Sequence, residues 1–291
     1  MIFMKKRVVI LFHELQYDRS SGYMIDELAE IWREEGLEVI ELYGIDRFVP
    51  ADVVILHIDL SVVPPEYLEF TRQYPVALNT GLTDIRKETI SLHLIKPGDA
   101  YVGPVIVKSN LNYAGAPERK LKESQLRQSS FWLKRLQYRL FPFLKKPPVF
   151  QSNLEYQIFD RIADVPRSLL NNPDVVVEKF FSCRHEEFYC IHNLYILGNH
   201  RTGVCLMGNH PIVNGRTYQR IDFVDPSAEI LEQMADIPLD YGKIDYVFDK
   251  GKVVIIDINK TIGDSGKVFQ RTPELTRFYK KLAGGIHVYL G

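Results

Sequence analysis

The sequence lacks several features that would assign it quickly to a class of protein. Its 291 residues include only three cysteines, Cys183, Cys190 and Cys205, and none has the C-x-x-C spacing. This odd, widely spaced set predicts neither a zinc site nor a disulfide framework, and it is typical of the reducing cytoplasm. A net charge of −1 gives no general reason to expect nucleic acid as a partner. No G-x-x-x-x-G-K-[ST] motif occurs, which excludes a P-loop nucleotide site.

Long apolar runs are also missing. The N-terminal stretch MIFMKKRVVILFHEL has an apolar run too short for a membrane span or a signal peptide, and it has no small-residue cleavage site. We therefore expect a cytoplasmic protein in which this run forms a buried strand. With 46% hydrophobic and 25% charged residues the composition is ordinary for a globular protein. The length allows one large core or two to three smaller lobes.

The first 78 residues alternate between short apolar runs and amphipathic segments. Strands are predicted at 7–12, 37–42, 53–58 and 75–78, with helices at 20–35 and 64–72. This alternation predicts a small parallel α/β lobe. His13, Glu14 and Asp59 come at strand ends, where α/β sheets bind ligands, although each alone is more often an ordinary loop residue.

Residues 241–266 have the pattern of a β-hairpin. An alternating segment is followed by a nearly continuous apolar run, and three residues ending in Gly251 lie between them. These three residues suit a three-residue hairpin loop. The last position of such a loop has a positive φ, which glycine adopts without strain. Such a loop would place Asp245 opposite Ile255 and diagonal to Asp257.

One face of this predicted hairpin carries Asp245, Asp257 and Asn259, because strand side chains alternate. Two carboxylates in an apolar hairpin repel each other and need a compensating cation. Oxygen ligands suit Mg²⁺ or Mn²⁺ beside a phosphorylated substrate. A polar edge would explain one such aspartate, but the spaced triple favours a metal site.

This stretch resembles the last hairpin of the ATP-grasp family, in which an acid and a following acid-x-Asn hold the magnesium ions of ATP. The resemblance assigns the metal to Asp245, Asp257 and Asn259, although the family more often has Glu at the place of Asp257. It places Lys243 where many members carry an arginine. The implied fold class is α/β (α+β). A pre-ATP-grasp lobe, 1–78, would precede an ATP-grasp domain of two α+β subdomains, 79–291.

A strand ending in a lysine extends the resemblance. Gly103–Ser109, GPVIVKS, is a predicted strand with Lys108 near its end, followed by a loop that contains Gly115. An ammonium group and loop amides suit phosphate binding. The family has a lysine and a flexible loop over the ATP phosphates at this place. Lys87, on a helix predicted within 79–93, is a weaker phosphate candidate, because a solvated helix lysine explains it more simply.

A second segment in the expected order is Val175–Phe181, VVVEKFF. Its glutamate interrupts an apolar run, which is costly unless the charge is used. The segment resembles the connection between the two ATP-grasp subdomains, which binds adenine. The matching residues are Glu178, Lys179, Phe180 and Phe181. Either Glu186 or Glu187 stands where the family has its ribose-binding acid, and Glu187, followed by Phe188, aligns better.

The segment 118–146 differs from its surroundings. It contains nine Lys or Arg residues against Glu118 and Glu123, with aromatic residues interleaved. Such a surface could contact a membrane, a nucleic acid or an anionic substrate. An inserted helical hairpin with a solvated basic face is the favoured interpretation. We expect a lid or docking hairpin outside the nucleotide core.

The resemblance implies an ATP-dependent ligase that also requires Mg²⁺ or Mn²⁺. In such enzymes a carboxylate attacks the γ-phosphate to form an acylphosphate, and an amine or similar nucleophile then displaces phosphate. The metal and lysines, here Lys108 and Lys243, would neutralise the charge that develops. The acceptor, a small molecule or a peptide, is not named by the sequence. A kinase on the same scaffold and a non-catalytic nucleotide-binding scaffold protein remain the alternatives.

Overall fold

The computed structural model describes residues 5–16, 22–96, 98–128, 149–263 and 272–291. The chain forms two compact units, one of residues 1–84 and 181–291 and the other of residues 85–180. Within the described ranges, no helix is long and apolar enough to cross a membrane. Residues 129–146 of the basic segment 118–146 lie outside the described residues, so the role of this segment stays a prediction. The domain boundary at residue 78 also stays a prediction.

A four-stranded parallel sheet, in the order β2-β1-β3-β4, begins the first unit. Its strands are β1 (Arg7–Phe12), β2 (Glu38–Tyr43), β3 (Val53–Leu56) and β4 (Val76–Leu78), connected by α1 (Met24–Glu34) and α2 (Pro65–Thr71). Strands β1 and β3 are almost wholly buried, as expected for a parallel sheet covered on both faces. The predicted strand–helix alternation is confirmed.

The second unit is built on a three-stranded antiparallel sheet, in the order β6-β5-β7. Its elements are α3 (Lys87–Ile90), β5 (Val105–Ser109), α4 (Ala116–Gln128), β6 (Gln157–Phe159), α5 (Arg167–Leu170) and β7 (Val175–Lys179). Val105, Val107 and Val177 form its core with Phe150. Both predicted strands are present, but β7 ends at Lys179, so the two phenylalanines follow the strand.

A six-stranded antiparallel sheet completes the first unit. Its strands are β8 (Cys183–His185), β9 (Phe188–Leu197), β10 (His200–Gly208), β11 (Arg220–Val224), β12 (Tyr241–Asp249) and β13 (Lys252–Asn259). The order is β11-β10-β9-β12-β13, and β8 pairs with the first residues of β9. Helix α6 (Ala228–Gln233) precedes β12, and α7 (Pro273–Ala283) packs on the sheet through Phe278, whose ring lies 5.1 Å from that of Tyr195. The predicted terminal helix and its packing are confirmed, and the mixed α/β fold class holds.

Asn79 connects the two sheets of the first unit. It follows β4 with a φ of 63°, a conformation that asparagine tolerates better than most residues. Its Nδ2 donates to the carbonyl of Tyr241 at 2.8 Å, and its Oδ1 accepts from the Tyr241 amide at 2.9 Å. Each buried backbone group left without this partner would cost about 1–3 kcal/mol. Asn79 therefore fixes the start of β12, the strand that carries Asp245, one of the candidate metal ligands.

Candidate active site

The β12–β13 hairpin has a two-residue turn, so the predicted three-residue loop is wrong. Lys250 and Gly251 have φ values of 51° and 80°, as in the type I′ turns that match the twist of paired strands. Asp249 pairs with Lys252, and a bulge next to Asp245 then shifts the register. The loop length was mispredicted because a lysine at positive φ has no clear signature in sequence.

The bulge places Asp245 directly opposite Asp257, and Lys243 opposite Asn259. Direct cross-strand partners share a face, with Cβ atoms about 4.5–5.5 Å apart. Alternate residues along each strand also share that face. The four side chains therefore occupy one face, as expected for Asp245, Asp257 and Asn259, although the predicted diagonal is replaced by a direct pair. Metal binding by these residues stays a prediction.

The Asp245 carboxylate is held by the side chains of Lys243, on the same strand, and Asn193, on the paired strand β9. Its Oδ1 lies 2.9 Å from the Lys243 ammonium and accepts a hydrogen bond from Asn193 Nδ2 at 2.7 Å. Burial by itself lowers the pKa of Lys243, but the charges of Asp245 and Asp257 help to outweigh it, so this pKa lies above its usual value. Lys243 is therefore a permanent cation beside the two carboxylates.

The residues of this face fit a divalent cation. The carboxylates of Asp245 and Asp257 carry more negative charge than the Lys243 ammonium neutralises. Only 9% of Asp245 is exposed. Asn193 is 2% exposed, and its buried Oδ1 accepts no hydrogen bond from any residue that the structure describes. Buried polar oxygens without a donor are rare and call for a cation or water. Sequence reasoning missed Asn193, whose signal is a polar residue that interrupts the apolar strand β9.

In the second unit, Lys108 and Glu178 form a buried ion pair. Their charged atoms are 2.6 Å apart, and their side chains are 10% and 3% exposed. The β5–β7 register places Glu178 opposite Ile106 and Lys108 opposite Val176, so the pair is a same-face diagonal. The glutamate that interrupts the apolar run thus neutralises a lysine. Its Oε1 has no hydrogen-bond partner within the described part of the chain.

Lys87 is buried, so the expectation of a solvated helix lysine is wrong. Its side chain is 3% exposed, and its backbone amide donates to the carbonyl of Asn110 at 2.8 Å. Burial of a lysine is costly unless its charge is used. The reason it was missed is that α3 is a single short turn, too short for periodicity to distinguish a buried face from a solvated one.

The loop after Lys108 has an unusual backbone. Tyr113, Ala114 and Gly115 have successive positive φ values of 47°, 54° and 72°. For the two non-glycine residues this conformation costs on the order of 1–3 kcal/mol each, and such strain clusters at ligand sites. The strained loop is an independent reason to consider this segment functional.

The predicted adenine and ribose residues are placed as follows. Lys179 Nζ lies 5.3 Å from the centre of the Tyr101 ring, and the Phe180 amide donates to the carbonyl of Pro104 at 2.9 Å. Phe181 is half-buried. Glu187 is exposed in the two-residue turn between β8 and β9, after Glu186 with its φ of 55°. The nucleotide roles of these residues stay predictions.

The polar residues at the ends of β1 and β3 have structural partners. Asp59 accepts hydrogen bonds from the Tyr23 hydroxyl at 2.7 Å and the Thr261 hydroxyl at 2.8 Å. His13 is buried and stacks on Tyr67, with ring centres 5.2 Å apart. Through Thr261, Asp59 thus connects the end of β3 to the segment that directly follows β13.

Comparison with known proteins gives similarity in structure only, since no family model and no curated protein matches the chain. Three similar solved structures are a D-alanine–D-alanine ligase from Bacillus anthracis complexed with ATP, an ATP-grasp RimK domain protein from Sphaerobacter thermophilus, and the macrocyclase MdnC of Microcystis aeruginosa bound with its precursor peptide MdnA. Their identities are 12%, 12% and 11%, and their TM-scores are 0.48, 0.47 and 0.48. The matches cover 98% of this chain and 98%, 99% and 99% of theirs. At such identities the similarity concerns the fold alone.

Proposed function

We propose that this protein is an ATP-dependent ligase. It would activate a carboxylate as an acylphosphate for attack by an amine or a similar nucleophile. The observation that carries the proposal is the direct pair of Asp245 and Asp257, with Lys243 and Asn259 on the same face. Partly buried carboxylates placed opposite each other are destabilising unless a cation is bound between or beside them.

Asp245, Asp257 and Asn259 would hold Mg²⁺ or Mn²⁺. When bound, the ion neutralises phosphate charge and orients the transferred group. Asn193 and Lys243 orient the Asp245 carboxylate through its Oδ1. Lys243 also limits the repulsion between the two acids, which keeps the site folded before a metal ion arrives.

Lys108 and Lys87 are the proposed phosphate-binding cations of the second unit. Glu178 fixes the Lys108 ammonium at 2.6 Å, so its position is set before substrate arrives. Such preorganisation contributes to stabilising the charge that develops on a transferred phosphoryl group. The strained loop at 113–115 follows directly and would supply backbone amides.

The ligase assignment predicts that ADP release requires both a carboxylate and an amine. The protein is incubated with Mg-ATP, a panel of ¹⁸O-labelled small-molecule and peptide carboxylates, and a panel of amines. An acylphosphate step transfers one ¹⁸O from the carboxylate to the released phosphate, which mass spectrometry detects. ADP release without label in phosphate, with the phosphoryl group on an acceptor hydroxyl, would identify a kinase instead. ATP binding without ADP release across both panels would favour the scaffold alternative.

We further propose that adenine lies against Glu178–Phe181 and ribose near Glu187. Glu187→Gln is expected to weaken binding of a non-hydrolysable ATP analogue about tenfold, because a hydrogen bond to a charged group is lost. Glu186→Gln is the matched control, in the same exposed turn, and affinity should stay within about twofold. Calorimetry measures both variants, and a complex with the analogue locates the ring. Adenine bound elsewhere, or equal effects of the two variants, would contradict the assignment.

A further inference from the structure

Three cysteines and a histidine lie together on the six-stranded sheet. Cys183 on β8 is opposite Cys190 on β9, and Cys205 on β10 is opposite His192 on β9. Cys190 and His192 are two residues apart, so all four side chains share one face. Since Asn193 pairs with Asp245, this is the face opposite the acids. Spacing along the chain hides the cluster because the residues come from three neighbouring strands.

The distances within the cluster are short. One ligand atom each from Cys183, Cys190 and His192 lies within 4.8 Å of the other two. The Sγ of Cys205 is 3.8 Å from His192 Nε2. Tetrahedral Zn²⁺ with Zn–S bonds of about 2.3 Å needs sulfur atoms about 3.8 Å apart. A shift of about 1 Å, within reach of χ1 adjustment, would close the four ligands around an ion.

The surroundings of the cluster are those of a structural metal site. Cys190 and Cys205 are each 5% exposed, while Cys183 and His192 are half-buried. The His192 ring stacks on Tyr246 at 5.2 Å and meets Phe248 edge-on at 5.0 Å, which fixes its orientation.

We propose that Cys183, Cys190, Cys205 and His192 bind a zinc ion. Three thiolates and one imidazole form a closed four-ligand set, the composition of structural zinc sites. The soft sulfur ligands disfavour Mg²⁺ and Ca²⁺, so this site is chemically distinct from the acidic face. The ion would clamp β8 to β9 and β10, and so hold the turn that carries Glu187. The zinc proposal does not depend on ligase activity.

The test is the metal content of the full chain, purified without a metal-affinity tag. We expect about one zinc ion per chain by mass spectrometry, and a sulfur-to-cobalt charge-transfer band when Co²⁺ replaces it. His192→Ala and Cys190→Ser should lose the ion and the band. His210→Ala is the matched control, since His210 is exposed beyond the end of β10, and it should keep both. Removing the ion with a chelator should lower the Tm by about 5–10 °C.

Three results would overturn the proposal. The first is a reduced wild-type chain with neither zinc nor a cobalt charge-transfer band. The second is a mass lower by about 2 Da, the loss of two hydrogens in a disulfide between the directly opposed Cys183 and Cys190. The third is equal loss of zinc from His192→Ala and His210→Ala. If Cys190→Ser does not fold, Cys183→Ser at the half-buried position replaces it, and zinc retained by that folded variant also contradicts the site.

Discussion

Asp257→Asn is expected to reduce ATP turnover by at least about 10²–10³-fold, the usual cost of removing one group that stabilises developing charge. The substitution removes one carboxylate charge from the proposed metal site, where Asp245 and Asp257 face each other. Folding should be retained, because Oδ1 of the amide can still accept the hydrogen bond that Asp257 Oδ1 receives from the Ile258 amide at 2.8 Å. Steady-state ADP release and circular dichroism measure the two effects separately.

Asp249→Asn provides the matched control for this experiment. Asp249 has the same side chain and lies on the paired strand β12 of the same hairpin, but at its turn end, opposite Lys252. Its turnover should stay within about twofold of wild type. Mn²⁺ binding, followed by electron paramagnetic resonance, should weaken in Asp257→Asn alone. Normal turnover in Asp257→Asn, or equal losses in both variants, would exclude the acidic pair as the metal site.

The elements themselves could largely be predicted from periodicity. Arg7–Phe12 and Pro273–Ala283 begin and end as predicted, because an apolar run bounded by charges and an amphipathic pattern after a proline are local signals. The shared face of Asp245, Asp257 and Asn259 also follows from local alternation. The predicted shared face is correct even though the predicted register is wrong. The turn is one residue shorter than predicted, and the bulge next to Asp245 shifts the register by one further residue, which restores the shared face.

What the sequence could not predict depends on contacts between distant segments. The burial of Lys87 and the contact of Asn193 with Asp245 both require partners far along the chain. The thiol cluster is the clearest example, since strand pairing joins Cys183 to Cys190 and Cys205 to His192 without any motif spacing. Cross-strand register decides these contacts, and register is set by turns and bulges rather than by composition.

Lys108→Met is expected to destabilise the protein by about 3–5 kcal/mol, the cost of leaving a buried charge without its partner. Glu178 is 3% exposed and 2.6 Å from the Lys108 ammonium. Among the described residues none donates a hydrogen bond to its other oxygen, so the loss of Lys108 is not compensated there. Urea unfolding, followed by circular dichroism, gives the change in the free energy of unfolding. Lys96→Met, an exposed lysine of the same unit, should change it by less than about 0.5 kcal/mol.

The double variant Lys108→Met/Glu178→Leu separates the structural role of the pair from its proposed catalytic role. Replacing both partners of a buried ion pair by apolar groups of similar volume is often neutral or stabilising, so most of the lost stability should return. ATP turnover should not return if Lys108 binds phosphate as proposed, because its ammonium is still missing. A stable double variant with normal turnover would show that Lys108 serves only to neutralise Glu178. A Lys108→Met variant as stable as wild type would show that the buried ion pair of Lys108 and Glu178 does not contribute to the free energy of unfolding.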